Sequence, residues 1–276
     1  MVSVTCIIKM MIYGEEGLLS KRKPIVGISM KMYQNIPEDA EKYVSAIKDS
    51  FDQEDIDIFI FPSLGTLYPI AKMLNGSKLK VGAQNVAPVL NGAFTGELSI
   101  ETVKSLGGQY VEIGHSERRS IFKESDDVIA RKVKLTLDSG LIPVLCIGEP
   151  EKWNDSSKIK HYLNKQLSKG LEKIEKERIS DVILAYEPVW AIGAQESAQP
   201  DYINNNLNLI REIIGINFSP TAAEKIRIIY GGSVSNENVE KIAAYENIDG
   251  VFVGRFGHDP ANFISIVETV GKIKRN

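Results

Sequence analysis

Three ionisable residues carry the chemistry that this sequence offers. The apolar run VILAY, residues 182–186, ends on an acid, Glu187. The rigid Pro188 follows at once, then Val189-Trp190, then the small and polar residues of "AIGAQESA", 191–198. A strand tip bearing a carboxylate beside a loop able to close suits a general base, because burial under the loop raises the carboxyl pKa toward its working range. His115 sits in "GHSERRS", residues 114–120. There the start of a helical turn disfavours an imidazolium and suits a ring that polarises a carbonyl. Lys31, in Ser29-Met30-Lys31, supplies a fixed positive charge for a phosphate and for a developing enediolate oxygen. One Lys, one His, one Glu and several Gly and Ser backbone sites suit proton abstraction beside a carbonyl on a small phosphorylated substrate.

Such residues act together only if the fold brings them to one place. Eight short apolar runs recur from Lys23 onward: 24–29, 56–61, 79–84, 110–114, 141–148, 181–187, 225–232 and 248–254. They are β-branched, do not alternate, and are bounded by Gly, Pro, Asp or Ser, as strands buried on both faces of a parallel sheet are. Helical patterns lie between them. Residues 37–51 put Ala40, Tyr43, Val44 and Ile47 on one stripe behind an acidic first turn. Residues 125–140 open on Ser125 as a cap and close on Gly140. Residues 235–245 and 259–273 behave alike. Eight strand–helix units predict an α/β fold, a single-domain (β/α)8 barrel over 23–276, with its site at the C-terminal strand ends. An open doubly wound sheet would place a Gly-rich loop after the first strand, where this chain has "MKMYQN".

The bulk composition narrows the partners. A net charge of −3 over 276 residues gives no basic surplus, which argues against nucleic acid. Two cysteines, Cys6 and Cys146, form no disulfide framework, and with three histidines they give no metal-ligand spacing. No metal or organic cofactor is expected. Residues 1–22 read as an extension outside the barrel; its apolar run is short, is interrupted by Lys9, and approaches no membrane span. Met10 and Met11 admit a later start. The chain reads as cytoplasmic.

Seven motifs, in order, also carry a family resemblance: "GAQN", "GAFTGE" (92–97), "GHSERR" (114–119), "PVLCIGE" (143–149), "YEPVWAIG" (186–193), "YGGSV" (230–234) and "IDGVFVG" (248–254). Together they resemble the triosephosphate isomerase family from about Lys23 to the C-terminus. The resemblance implies Glu187 as base, His115 as a neutral electrophile, Lys31 as the site cation and Glu117 as a residue holding that lysine or its neighbours. It assigns phosphate binding to backbone N–H groups at Gly193, Ser233 and Gly254. It also implies a homodimer in which the loop 85–97, with Thr95 at its tip, crosses into a partner subunit.

This chain departs from the family pattern at three places. Ser29 and Met30 stand where the family carries Asn and usually Trp. The family's Thr-Gly-Lys lid tip reads "AQES", Ala194 to Ser197, here. Arg255 replaces the second of two glycines after the eighth strand; it either adds a charge-assisted phosphate contact or points outward and leaves its N–H to the ligand. His258 either reaches the mouth or starts the last helix beside Asp259. The expected activity is interconversion of dihydroxyacetone phosphate and glyceraldehyde 3-phosphate. Because Ser29 opens space, isomerisation of erythrulose 1-phosphate is the alternative, and a sugar-phosphate-binding barrel without turnover is a third.

Overall fold

The computed structural model describes residues 22–51, 55–193 and 197–275. Eight strands close a parallel barrel in sequential order: β1 (Ile25–Ser29), β2 (Asp57–Phe61), β3 (Leu79–Ala83), β4 (Tyr110–Ile113), β5 (Ile142–Ile147), β6 (Ile183–Tyr186), β7 (Arg227–Tyr230) and β8 (Gly250–Val253). β8 pairs with β1 in parallel, Ile25 opposite Gly250, which closes the ring. Each strand lies within one of the eight predicted runs. The runs overshoot because their last residues leave the ladder to build the mouth.

The unalternating strands have apolar surroundings on both sides. One face of each strand packs against helices through residues such as Val26, Ile28, Ile58, Ile60, Leu184 and Ile228. The other face fills the barrel with Ile25, Phe59, Phe61, Tyr110, Val144, Cys146, Ile183, Ala185, Ile229 and Phe252. Phe59 stacks on Tyr110 with centroids 4.6 Å apart. The barrel interior is thus a packed floor, and the open volume lies above it, at the C-terminal strand ends.

The helices follow their sequence signals, with two differences at the ends. The helix Asp126–Asp138 starts where the Ser125 side chain accepts the Val128 N–H, and Gly140 follows it with a left-handed φ of 76°, as at a helix stop. The first helix, Pro37–Ile47, buries the predicted stripe but stops before 51; a turn takes over, with the Ser50 N–H donating to the Ile47 carbonyl. The segment 235–245 is helical only over Val239–Ala243. Ahead of it, Asn238 accepts the Ser235 N–H and donates to the Ser233 carbonyl, local bonds that compete with the helix ladder and fix the loop after β7.

Residues 1–21 of the predicted extension lie outside the described residues. Its last residue, Arg22, is stitched to the base of the barrel: Nε donates to Asp249 Oδ1 at 2.5 Å, and the guanidinium also reaches the carbonyls of Glu224 and Glu246.

Candidate active site

Each charged group at the mouth is held by the end of a different strand. Lys31 follows β1 with φ of 45°, a left-handed conformation that is strained for a residue with a Cβ. Its carbonyl accepts hydrogen bonds from Ser63 Oγ at 2.7 Å and Gln84 Nε2 at 2.8 Å, so residues after β2 and β3 pin the strained link. At the other end of the side chain, Nζ donates to Glu117 Oε1 at 2.6 Å. Burial pulls the Lys31 pKa down, but Glu117, Glu187 and Glu112 outweigh it and leave the ammonium held above its ordinary value.

His115 follows β4 and caps the short helix Ser116–Ser120. Its Nδ1 accepts the Glu117 backbone N–H at 3.2 Å. That bond assigns the ring proton to Nε2. Burial first, and the Lys31 charge second, push the imidazole pKa down to about 4 against the pull of Glu117. The ring is therefore neutral at neutral pH, with an N–H aimed into the cavity. Nε2 stands 3.6 Å from Glu187 Oε2.

Glu187 follows β6 and is buried, with its Oε2 unpartnered among the described residues. Its own N–H donates to the Ile147 carbonyl at 2.8 Å, tying it to the end of β5. Burial, and after it the nearby Glu112, raise its pKa well above the ordinary carboxylate value, against Lys31 and the Cys146 thiol. The carboxyl is thereby made a strong proton acceptor held out of water.

A second carboxyl, Glu112, enters the same mouth from the inner face of β4. It is 4% exposed, and Ser29 Oγ donates to its Oε2 at 3.1 Å. Burial raises its pKa to about 8, with Lys31 and Ser29 opposing and Glu117 adding. Sequence reasoning missed it. The available signal was the twofold period of a strand: Tyr110 and Glu112 share the inward face, and an acid one step below a strand end points into the mouth.

Donor atoms of Glu112, His115 and Glu187 lie within 4.8 Å of one another. This trio does not suit a metal ion. Nδ1 already accepts the helix N–H, so Nε2 holds the proton and has no lone pair to give.

Of the residues predicted from sequence, Ser29, Lys31, His115, Glu187, Gly193, Ser233, Gly254 and Arg255 all line one cavity of about 110 Å³. Arg255 stands exposed at its rim, first in the turn Arg255–His258. His258 is not among the residues that line this cavity: its Nε2 lies 3.4 Å from the Ser29 carbonyl, and its ring packs on Tyr33. Glu117 lines a neighbouring cavity and reaches the site through Lys31. Thr95 is exposed on its loop and lines neither cavity.

Of the expected lid tip, Ala194 to Ser197, residues 194–196 lie outside the described residues. Its two flanks meet at a second residue that the sequence reading did not single out. Glu149, fully buried after β5, accepts hydrogen bonds from Tyr186, from Trp190 Nε1 at 3.0 Å and from the Tyr202 hydroxyl at 2.8 Å. Asn206 donates to the Tyr186 hydroxyl in turn. Trp190 precedes residues 194–196 and Tyr202 follows them, so one carboxyl ties together the chain on both sides of that segment.

A closed parallel barrel with an acid, a neutral imidazole and an ammonium at its mouth defines a class, the (β/α)8-barrel enzymes with a proton-transfer site. Comparison with known proteins narrows this. The sequence model of triosephosphate isomerase matches residues 24–270. "Probable triosephosphate isomerase 2" of Listeria monocytogenes serovar 1/2a is 45% identical over 92% of this chain and 99% of its own length. "Triosephosphate isomerase" of Dictyoglomus thermophilum is 38% identical over 90% of this chain and 100% of its own. The chain belongs to the triosephosphate isomerase family.

Proposed function

We propose that this chain interconverts dihydroxyacetone phosphate and glyceraldehyde 3-phosphate, with Glu187 as base, His115 as electrophile and Lys31 as fixed cation. The observation that carries the reading is the pairing of an unpartnered carboxylate oxygen with an imidazole N–H, 3.6 Å apart inside one cavity. A proton acceptor and a proton donor converge there on the point where adjacent carbon and oxygen atoms of a substrate would lie.

Ionised Glu187 takes a proton from the carbon beside the carbonyl. The C–H electrons form the carbon–carbon double bond, and the carbonyl pair moves onto oxygen. The His115 Nε2–H and the Lys31 ammonium stabilise that oxygen. Glu187 then returns its proton to the neighbouring carbon, while the hydroxyl proton passes between the two oxygens through His115. No atom is gained or lost, and no cofactor enters. The phosphate lies against the backbone of Gly193, Ser233 and Gly254, with Arg255 at the rim. The lid held at Glu149 keeps water from the enediolate, which would otherwise expel its phosphate.

A four-carbon ketose phosphate, erythrulose 1-phosphate, is a second reading. The Ser29–Glu112 pair favours it, since a short hydroxyl beside a carboxyl leaves room and polarity beyond a triose.

A homodimer in the cytoplasm goes with this reading. The loop 85–97 exposes Leu90 and Phe94, and the cavity beside Lys31 has exposed Met32, Leu64 and Phe122 on its wall. Apolar loop tip and apolar socket suit each other in a second copy. No helix among the described residues is long and apolar enough to cross a membrane.

The deciding measurement is kcat/KM for glyceraldehyde 3-phosphate and L-erythrulose 1-phosphate on one sample, with Glu187→Gln alongside. Fast triose turnover lost in the variant supports the first reading. A preference of orders of magnitude for the tetrulose supports the second. Absence of turnover on both, with sugar-phosphate binding retained, overturns both in favour of a binding barrel.

A further inference from the structure

The barrel mouth holds a buried hydrogen-bonding group that the proton-transfer steps leave unused. Besides its phosphate, dihydroxyacetone phosphate offers one carbonyl and one hydroxyl oxygen. Under the reading above, His115 and Lys31 meet the oxygen that gains charge and Glu187 meets the C–H. Glu112 is then left over. Its side chain is buried, yet it lines both the cavity that holds Glu187 and the neighbouring cavity that holds Glu117. Its carboxyl lies within 4.8 Å of the donor atoms of His115 and Glu187, beside the place where the reacting carbons must sit.

Packing does not explain a carboxyl here. The interior below it is apolar, built from Phe59, Phe61, Tyr110, Val144 and Phe252. An aliphatic side chain would continue that filling, whereas a buried carboxyl is costly unless something hydrogen-bonds it. Ser29 supplies one such bond, to Oε2. Ser29 itself lines both cavities, so the pair forms a short polar wall facing the ligand space.

We propose that Glu112 and Ser29 form a hydroxyl-binding subsite of this active site, in which Glu112 donates a hydrogen bond to a substrate hydroxyl held beside the reacting carbons. The proposal rests on the isomerase reading for where those carbons sit. The groups that face Glu112 are Ser29 and Lys31 from β1 and its loop, His115 and Glu117 after β4, Cys146 from β5 and Glu187 after β6. Burial outweighs the cation among them and keeps the carboxyl neutral to about pH 8. Glu187 is raised too, with Glu112 among the causes, so the two carboxyls do not ionise together: when Glu187 works as the ionised base, the proton stays on Glu112. A hydroxyl that accepts this hydrogen can return its own to an oxygen of the wall. A ligand with no hydroxyl leaves the Glu112 O–H buried and unpaired, which weakens its binding.

The test is equilibrium binding of three ligands to the full chain and to Glu112→Gln and Glu112→Leu. The ligands are glycerol 3-phosphate, n-propyl phosphate, which lacks its two hydroxyls, and inorganic phosphate. The wild type is expected to prefer glycerol 3-phosphate over propyl phosphate, and Glu112→Leu to cut that preference about 10-fold, the size of one good hydrogen bond. Glu112→Gln, which keeps a donor, is expected to retain it. Inorganic phosphate should bind all three proteins equally. The proposal is overturned if Glu112→Leu keeps the wild-type preference, or if it weakens all three ligands together, which would mark a structural role. Binding is read without turnover, so a protein that keeps this pattern but isomerises no triose would sink the activity and leave the subsite standing.

Discussion

Gly231, just past β7, lies directly against the side chain of Glu187. A Cβ at position 231 would stand 2.6 Å from Glu187 Cγ and 2.7 Å from Oε1, closer than such atoms come. Glycine there leaves the space that the Glu187 carboxyl occupies, 3.6 Å from His115 Nε2. Gly231→Ala is expected to push the carboxyl aside without disturbing the core, because the displaced atoms belong to a side chain. Displacement of a reacting group by about 1 Å costs on the order of 100-fold in rate. The expected outcome is a fall in kcat of that order with a melting temperature within a few degrees of wild type. An unchanged kcat would mean that the Glu187 orientation is not set by this contact.

His115 is expected to stay neutral across the working range. Burial and Lys31 hold its pKa down to about 4, and the Glu117 N–H occupies Nδ1. Nitrogen NMR of the ring should show Nε2 protonated and Nδ1 bare from pH 8 down to pH 5. The acid limb of kcat/KM then belongs to Glu187, whose pKa is raised, and not to the imidazole. A ring that titrates near 6.5 would contradict this assignment.

The lid should depend on Glu149 more than on its own tip. This buried carboxyl receives Trp190 from one flank and Tyr202 from the other. Tyr202→Phe removes one of these bonds and leaves the packing. It is expected to lower kcat about 10-fold and to raise the yield of free phosphate per turnover, since a lid that closes less well admits water to the enediolate. Phosphate release measured beside isomerisation checks this; a lower kcat with no extra phosphate would assign Tyr202 to stability alone.

The eight strands were legible because strands buried on both faces give unbroken apolar runs, and every run contains its strand. Glu187, His115 and Lys31 were legible because each stands at the end of such a run. Glu112 was hidden inside one, in "YVEIG", where neighbouring residues face opposite sides and only the pairing of Tyr110 with the barrel interior reveals which side the acid takes. Glu149 was hidden for another reason. It ends a strand as Glu187 does, but its partners Tyr186, Trp190 and Tyr202 lie 37 to 53 positions away, and no local pattern joins them. Likewise the bond from His258 to the Ser29 carbonyl spans 229 positions and comes from barrel closure alone.

Glu112 should also make stability fall as pH rises. Its folded pKa of about 8 lies above its ordinary value of 4.5, so its stabilising contribution is complete below 4.5 and is lost as pH climbs through 8. Between those values the folded state holds a proton that the unfolded state has released. Each pH unit across that window therefore costs about 1.4 kcal/mol of stability for this group. Glu112→Gln fills the same space and does not titrate. Urea unfolding at pH 5, 6, 7 and 8, at one protein concentration so that any self-association is held constant, should give curves for the two proteins that diverge with pH. The variant gains relative to wild type at each step, and the gain levels off above pH 8. Glu187 titrates in both proteins, and loss of the Glu112 charge lowers its pKa in the variant, which adds to the divergence in the same direction. Parallel curves would mean that Glu112 is already ionised in the fold, and the neutral donor at the barrel mouth would go with it.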